Sequence, residues 1–184
     1  MDETNLNQIY GMWSKTPIRK PRISKVVVNF SVGASGPPLE KARKLCEQLT
    51  NQKPIDCQAK MTIRQFSIRK GEPISLKVTL RGEKAKEFVK KVFWAKEDRV
   101  LPKNFDNYGN LSLGIADHLD LPNIRYDPQI GSYGFDTTIV LERAGYRIKD
   151  RRRQKRKINS RQKLSKEEAM AFFIKEYGVK VSEE

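Results

Sequence analysis

Residues 74–81 constrain the fold most, because apolar and polar side chains alternate there without interruption. One side of this segment carries Ile74, Leu76, Val78 and Leu80, and the other carries Ser75, Lys77, Thr79 and Arg81. A period of two residues is typical of a β-strand that buries one face. The polar face holds amines, a guanidinium and hydroxyls but no carboxylate. Such a face favours a polyanionic partner.

A partner strand is predicted just before this one. Residues 61–69 are rich in Ile, Phe and Thr, although their alternation is less regular. Between the two segments lies RKGEP, residues 69–73, whose Lys-Gly and Pro are typical of turns. We therefore predict a β-hairpin with a basic tip.

The composition bounds the class of protein. The chain has 184 residues, 38% of them hydrophobic, which predicts one compact domain over residues 1–184. Its net charge of +15 favours nucleic acid or another anionic surface as partner. No apolar run approaches the ~18 residues of a membrane span. The first ten residues, MDETNLNQIY, do not resemble a secretory signal. We expect no membrane partner.

Metal-ligating residues are few. Cys46 and Cys57 are the two cysteines, they lack C-x-x-C spacing, and His118 is the single histidine. A structural zinc site of the Cys/His type cannot be assembled from this set. We expect no metal, no cofactor and two reduced thiols in a cytosolic protein, with Cys46 filling the core.

The remaining periodicities predict an α+β fold. Further strands are predicted at residues 23–32, 111–115 and 135–142, and helices at about 6–13, 37–50, 82–96 and 165–177. From the first strand the order is β-α-β-β-α-β-β, which contains a split β-α-β unit. We predict an about five-stranded, mainly antiparallel sheet with helices packed on one face. The opposite face would bind RNA.

Two sets of residues have alternative interpretations. Tyr10 and Trp13, in an N-terminal extension over residues 1–22, favour helix packing, with stacking on RNA bases as the alternative. Asn29 is unfavourable among the β-branched residues of the first strand. It is explained either by an edge strand or bulge, or by an amide offered to RNA.

A glycine-rich turn, residues 33–36, precedes the first long helix in the outline of a phosphate-binding loop. It lacks the G-K-[ST] signature, and Pro37 and Pro38 remove two N–H donors that such a site needs. A nucleotide site is therefore disfavoured here.

A basic arm occupies residues 143–163, which hold eleven Lys or Arg and one acidic residue. Like charges at this density prevent independent folding. The segment is either a disordered solubilising or targeting region or, as we favour, an arm that neutralises phosphates and orders on RNA. Ser165 and Glu168 form a capping box that begins the last helix. That helix should pack back and tether both ends of the arm.

Five stretches occur together in the order and spacing of a known family. They are VVVNFSVG (26–33), NQKP (51–54), IRKGEPISLKVTLRG (68–82), FDNYGNLSLGIADH (105–118) and YDPQIGSYGFD (126–136). From about residue 17 to 177 the chain resembles the large-subunit ribosomal protein L-five family, in its archaeal and eukaryotic form. It departs from the family at Asn51, where many members have glycine, and at Ser67, a variable loop position.

This resemblance implies a structural, non-enzymatic role in the cytoplasmic ribosome. Members bind 5S rRNA in the central protuberance of the large subunit and also touch large-subunit (23S-like) rRNA. A hairpin loop reaches the P-site tRNA. Other loops, here around residues 104–110 and 126–134, bridge to a small-subunit head protein. Neighbouring ribosomal proteins of the central protuberance are further implied partners.

The resemblance also implies site residues. Asn29, Gln52, Thr79 and Arg81 match polar residues that contact 5S rRNA, and alternation places Lys25, Ser31 and Lys77 on the same face. The predicted tRNA-facing loop comprises Arg64, Gln65, Phe66, Ser67, Ile68, Arg69, Lys70, Gly71, Glu72 and Pro73. The predicted rRNA-binding residues of the arm are Arg147, Lys149, Arg151, Arg152, Arg153, Lys155, Arg156, Lys157, Arg161 and Lys163.

Two other functions are alternatives to the ribosomal role. An RNA-modifying or nucleotide-using enzyme would have to use His118 or the turn at residues 33–36, and neither has partners at a recognisable spacing. A non-specific RNA-binding or RNA-chaperone protein would use the basic arm without preference among RNAs.

Overall fold

The computed structural model describes residues 3–122 and 124–182. Within these ranges the helices are α1 (Glu3–Lys15), α2 (Pro37–Thr50), α3 (Gly82–Ala95) and α4 (Lys166–Tyr177). The strands are β1 (Arg22–Ser31), β2 (Ile55–Gln58), β3 (Pro73–Leu80), β4 (Arg99–Val100), β5 (Leu111–Ile115), β6 (Phe135–Glu142) and β7 (Lys180–Val181). The predicted α+β class is confirmed.

Five strands form one antiparallel sheet in the order β2-β3-β1-β6-β5. Strand β3 lies between β1 and β2, which is the predicted split β-α-β arrangement. Strands β4 and β7 form a separate two-stranded parallel pair. The predicted strands do not include this pair.

All four helices contribute to a core on one face of the sheet. Val26, Val28 and Phe30 of β1 point into it, and alternate residues of β3, β5 and β6 do the same. Phe93 of α3 packs against Phe173 of α4, with ring centroids 5.5 Å apart. The helices therefore cover one sheet face and leave the other open, as predicted.

Helix α1 packs onto this core. Ile9 and Trp13 are buried, and the Tyr10 hydroxyl donates to the carbonyl of Ala171 in α4 at 3.2 Å. The packing interpretation is confirmed, and base stacking by Trp13 is wrong. Residues 17–19 form a 3-10 turn between α1 and β1.

The predicted first hairpin strand at residues 61–69 is wrong. Strand β2 pairs with β3 instead, and residues 59–72 form a loop that closes through hydrogen bonds between Ala59 and both Gly71 and Glu72. Pro73, opposite Gln58, has no N–H to donate, so the ladder ends there. The apolar residues Met61 and Phe66 are about 70% exposed in this loop. Their residue types are typical of a strand, but no strand forms because they bury no face.

Across the described residues, no helix has the length and hydropathy that a bilayer span requires.

Candidate nucleic-acid interface

Asn29 lies near the centre of the open sheet face. Strand β1 is flanked on both sides, and Asn29 is opposite Lys77 of β3 and Asp136 of β6. The β1 bulge lies between Ile23 and Lys25, so the edge or bulge explanation of Asn29 is wrong. Its amide nitrogen donates to the Ser31 hydroxyl at 2.8 Å. A half-buried amide is thus fixed on a surface that no helix covers.

One end of this face collects further polar groups. Asn51 ends α2 in the left-handed conformation, with φ of 48°, and the chain then turns back toward the sheet. Gln52 consequently donates its side-chain amide to the carbonyl of Thr79 at 3.3 Å. Arg81 follows directly, exposed at the start of α3, where the helix dipole adds positive potential.

The basic arm reaches the same end of the sheet. Lys25, Arg81 and Arg147 line one concavity of about 200 Å³, together with the acidic residues Glu142 and Asp150. Glu142 is paired with Lys149 of the arm, Nζ to Oε1 at 2.7 Å. The structure therefore joins two predicted sets, the sheet face and the arm, into one continuous surface.

Ser31 and Ser75 lie opposite each other toward the other end of β3. All seven residues predicted for 5S rRNA thus lie on the open face or at its margin, and each is at least partly exposed. Strands β5 and β6 extend this face with Ser112 and Thr138, whose hydroxyls are 3.3 Å apart. The prediction missed these two residues, although the buried alternation of Leu111, Leu113 and Ile115 in β5 places Ser112 outward.

The open face also carries acidic residues that the alternation at residues 74–81 did not indicate. Asp136 of β6 is exposed beside Asn29. Glu142 of β6 shares the outward alternation of Asp136 and Thr138, whereas β1 and β3 contribute no carboxylate to this face.

The loop at residues 59–72 projects from the opposite end of β3. A 3-10 turn at Arg64–Phe66 and a bridge between Ile63 and Ile68 shape it. Ser67 adopts φ of 56°, a left-handed conformation that a serine occupies at some cost. The predicted residues 64–73 are all exposed or partly exposed, and Phe66 is 69% exposed.

Glu72 fastens this loop to the glycine-rich turn. Its carboxylate accepts hydrogen bonds from the Ser35 hydroxyl and from the backbone N–H of Arg69, and these bonds lower the pKa of Glu72. A carboxylate at this turn opposes phosphate binding. The turn at residues 33–36 is a structural connection.

The basic arm follows a defined path over the domain. It contains 3-10 turns at Tyr146–Lys149 and Ser160–Gln162, and the Arg156 N–H donates to the carbonyl of Ile148 at 3.2 Å. Nine of the ten predicted rRNA-binding cations are exposed, and Lys149 is half-buried. These turns and contacts set the path of the arm on the domain, and its inability to fold independently stays a prediction.

Both ends of the arm are tethered, as predicted. The guanidinium of Arg143 donates to the carbonyl of Gln162 at 3.2 Å and pairs with Glu168. The Tyr146 hydroxyl donates to the same Gln162 carbonyl at 2.7 Å. The predicted capping box of Ser165 and Glu168 is present and begins α4.

His118, the histidine considered for catalysis, lies inside the fold, whereas the turn at residues 33–36 is exposed or partly exposed. His118 is 2% exposed and its Nδ1 is 3.0 Å from Asp117. Cys46 is fully buried, as predicted, and burial raises the pKa of its thiol to about 12. Among residues 3–122 and 124–182, no group of three or more His, Cys, Asp or Glu side chains is placed to hold a metal ion.

The fold and its surface define a strongly basic α+β protein that leaves one polar sheet face uncovered. Residues 16–69 match the family described as Ribosomal protein L5, and residues 73–172 match the model that describes the C-terminus of the same ribosomal family. The chain is similar to three proteins named Large ribosomal subunit protein uL5. The first, from Sulfurisphaera tokodaii, is 49% identical over 91% of this chain and 95% of its own length.

The other two relatives match with similar coverage. The protein from Aeropyrum pernix is 44% identical over 95% of this chain and 91% of its own length. The protein from Methanococcus aeolicus is 45% identical over 94% of this chain and 97% of its own length. The chain belongs to the ribosomal protein L5 family, which confirms the predicted resemblance. It is a structural protein of the large ribosomal subunit, located in the cytoplasmic ribosome, and not an enzyme.

Proposed function

We propose that this chain acts as one domain, residues 1–184, that binds 5S rRNA in the central protuberance through its open sheet face. The observation that carries this proposal is the convergence of Lys25, Arg81 and Arg147 on one concavity beside Gln52 and Thr79. A face that joins cations to fixed hydrogen-bonding groups is suited to a folded RNA.

Each group has a distinct part in this binding. The cations neutralise phosphates and release counterions, each phosphate contributing about 0.7 to 0.9 to the salt slope. Asn29, Gln52 and Thr79 donate to or accept from bases and 2′-hydroxyls of a splayed RNA loop, where RNA displays its sequence. The Arg81 guanidinium binds a phosphate through two parallel N–H···O hydrogen bonds.

We assign the basic arm to large-subunit rRNA and the loop at residues 59–72 to the P-site tRNA. The exposed cations of the arm, on the Arg81 side of the domain, support the assignment to large-subunit rRNA. Supporting the second is the position of the loop at the far end of β3, where Phe66 and the exposed Arg64 and Arg69 face solvent.

We further assign residues 104–110 and 126–134 to the bridge with a small-subunit head protein. Both segments are loops, and Tyr126 of the second is 59% exposed. An exposed tyrosine on a loop is suited to protein contacts, because a large ring is ordered at low entropic cost. The other partners we propose are neighbouring proteins of the central protuberance.

A filter-binding titration with a 5S rRNA transcript tests the central assignment. Arg81→Ala should weaken binding by about tenfold or more, since a charge-assisted hydrogen bond to RNA contributes about 1.5–3 kcal/mol. Lys90→Ala is the matched control, because Lys90 is an exposed cation on α3 away from the open face. Equal effects of the two substitutions would contradict the open-face assignment.

The same titration separates this function from non-specific RNA binding. Specific binding requires the 5S rRNA transcript to bind more tightly than an unrelated transcript of equal length at the same salt concentration. Equal affinities with a steep salt dependence would instead identify a protein that binds through its arm alone.

A further inference from the structure

A cavity lies between the basic arm and the β5–β6 edge of the sheet. Its volume is about 450 Å³, within the roughly 300–1,000 Å³ of pockets that hold small organic ligands. Two tyrosines, Tyr108 and Tyr146, line it together with the apolar side chains of Val140, Ile158 and Leu164. The cavity is open to solvent on one side, since Tyr108 is 59% exposed.

Three amines surround this apolar cavity. Lys149, Lys157 and Lys163 line it, and none of its described lining residues is acidic. The Lys163 Nζ lies 5.2 Å from the centroid of the Tyr108 ring, and the Lys149 Nζ lies 5.2 Å from that of Tyr146. Each aromatic ring is therefore accompanied by a cation that a phosphate could attract.

The wall that the arm provides is fixed in place. Tyr146 is held through its hydroxyl by the carbonyl of Gln162, and Leu164 is 2% exposed. Tyr108 stands on a turn whose backbone N–H groups donate to the carboxylate of Asp106, at 2.9 Å for Tyr108 and 2.7 Å for Asn110. A preformed pocket costs its ligand less ordering than one that must assemble.

We propose that this pocket, the arm pocket, binds one unstacked nucleotide of rRNA. The planar base lies against Tyr108 and the apolar wall, and the flanking phosphates pair with Lys157 and Lys163. An aromatic surface beside amines matches the two parts of a nucleotide, a π-face and an anion. The proposal rests on the assignment of the arm to rRNA, and it gives Tyr108 an RNA contact within a loop assigned above to the small subunit.

Substitution of Tyr108 tests the stacking component. For a large-subunit rRNA transcript, Tyr108→Leu should reduce affinity by about tenfold, because base stacking on an aromatic side chain contributes about 1–3 kcal/mol. The salt slope should stay unchanged, since no phosphate contact is lost. Tyr108→Phe keeps the ring and should bind as the unmodified chain does. Lys157→Gln should instead lower the salt slope by about 0.7 to 0.9.

The matched control is Trp94→Leu, because Trp94 of α3 is an aromatic residue with a similar exposure of 63% but lies outside the pocket. It should leave affinity unchanged. Unaltered binding by Tyr108→Leu, or an equal loss in Trp94→Leu, would overturn the proposal. If Arg81→Ala also left 5S rRNA binding unchanged, the proposed function itself would fail, which is a separate result.

Photo-crosslinking of the unmodified chain removes any dependence on variant folding. A 4-thiouridine-substituted transcript of large-subunit rRNA should crosslink to peptides that contain Tyr108 or Tyr146. Crosslinks confined to other peptides would overturn the proposal. Loss of these crosslinks on addition of millimolar nucleoside monophosphates, at unchanged transcript affinity, would assign the pocket to a free nucleotide and also overturn it.

Discussion

Arg143 and Glu168 form an ion pair that joins the residue after β6 to the first turn of α4. Their side chains are only 10% and 15% exposed. The same Arg143 binds the carbonyl of Gln162, and Glu168 also accepts the Ser165 N–H of the capping box at 3.2 Å. One pair therefore closes the basic arm at its base and caps a helix.

Removal of one charge from this pair should destabilise the fold. Glu168→Gln keeps a residue that can complete a capping box but leaves the Arg143 guanidinium without a counterion. We expect a loss of about 3 kcal/mol in the free energy of unfolding, because breaking a buried pair costs about 3–5 kcal/mol. Urea denaturation measures it. Glu167 is exposed in the same helical turn, so Glu167→Gln should cost less than about 1 kcal/mol. Similar losses in the two variants would show that the Arg143–Glu168 pair does not stabilise the fold.

Gly109 should not tolerate a side chain. It adopts φ of +77°, and a Cβ there would lie 2.6 Å from Cδ2 of the buried Leu164. Gly109→Ala should therefore cost about 1–2 kcal/mol for the backbone conformation and about 1–3 kcal/mol for overpacking. Gly131→Ala is the control, because Gly131 adopts φ of +85° but no described atom lies within 4 Å of a Cβ added there. This substitution should carry only the backbone cost. Thermal unfolding of both variants should show the larger loss for Gly109→Ala, and equal losses would be inconsistent with the contact.

The two cysteines should differ in reactivity. Burial raises the pKa of the Cys46 thiol to about 12, whereas Cys57 is partly exposed at the sheet edge. Since the thiolate is the nucleophile, one thiol should react with Ellman's reagent at pH 8 in the native protein, and two in denaturant. Two rapidly reacting thiols in the native state would contradict the burial of Cys46.

Cys46 also predicts a direction of pH dependence. Its pKa is raised on folding from an ordinary value of 9.0. Above that pH the unfolded chain loses the thiol proton while the folded chain keeps it, which favours unfolding. The contribution of Cys46 to stability is therefore complete below about pH 9 and declines toward pH 12. Cys46→Ala should make the alkaline decline in unfolding free energy shallower than it is in the unmodified chain.

Glu72 should control the order of the loop at residues 59–72. Hydrogen bonds from Ser35 and from the Arg69 backbone lower its pKa, so its carboxylate supports the loop above the ordinary carboxyl range. That support is lost as the pH falls through the folded pKa. Glu72→Gln should accelerate tryptic cleavage within the loop at neutral pH.

Amide exchange of Arg69 gives the pH readout for the same contact. Its protection should decline as the pH falls below about 4, the ordinary range of a carboxyl group. Glu87→Gln, an exposed carboxylate on α3, serves as control and should leave loop cleavage unchanged. Equal cleavage of the two variants would show that Glu72 does not hold the loop.

Local periodicity predicted most of the sheet and its helices. Strands β1, β3, β5 and β6 and helices α2 and α3 end within about one residue of their predicted bounds, because each buries one side along its whole length. The open face followed from the same alternation. The orientation of Asn29, Thr79 and Arg81 was therefore readable before any tertiary contact was known.

Features that depend on distant partners were not predictable. Strand β2 has only four residues and forms because it pairs with β3. Strands β4 and β7 have two residues each. The loop at residues 59–72 was mistaken for a strand because exposed Ile, Phe and Met have the composition of one. The ion pair between Arg143 and Glu168 joins positions 25 residues apart. No local pattern distinguishes the one arginine of the basic arm whose side chain is largely buried.

Strand β3 separates the two ends of the open face by a fixed interval. Its eight residues are separated by seven rises of about 3.3 Å, which gives roughly 23 Å from Pro73 to Leu80. Partners on both sides, β1 and β2, resist stretching and bending of this strand. A pull on the loop beyond Pro73 is therefore transmitted to Arg81 as a movement of the whole sheet. The number of residues in one strand sets the distance over which this domain can transmit a mechanical load.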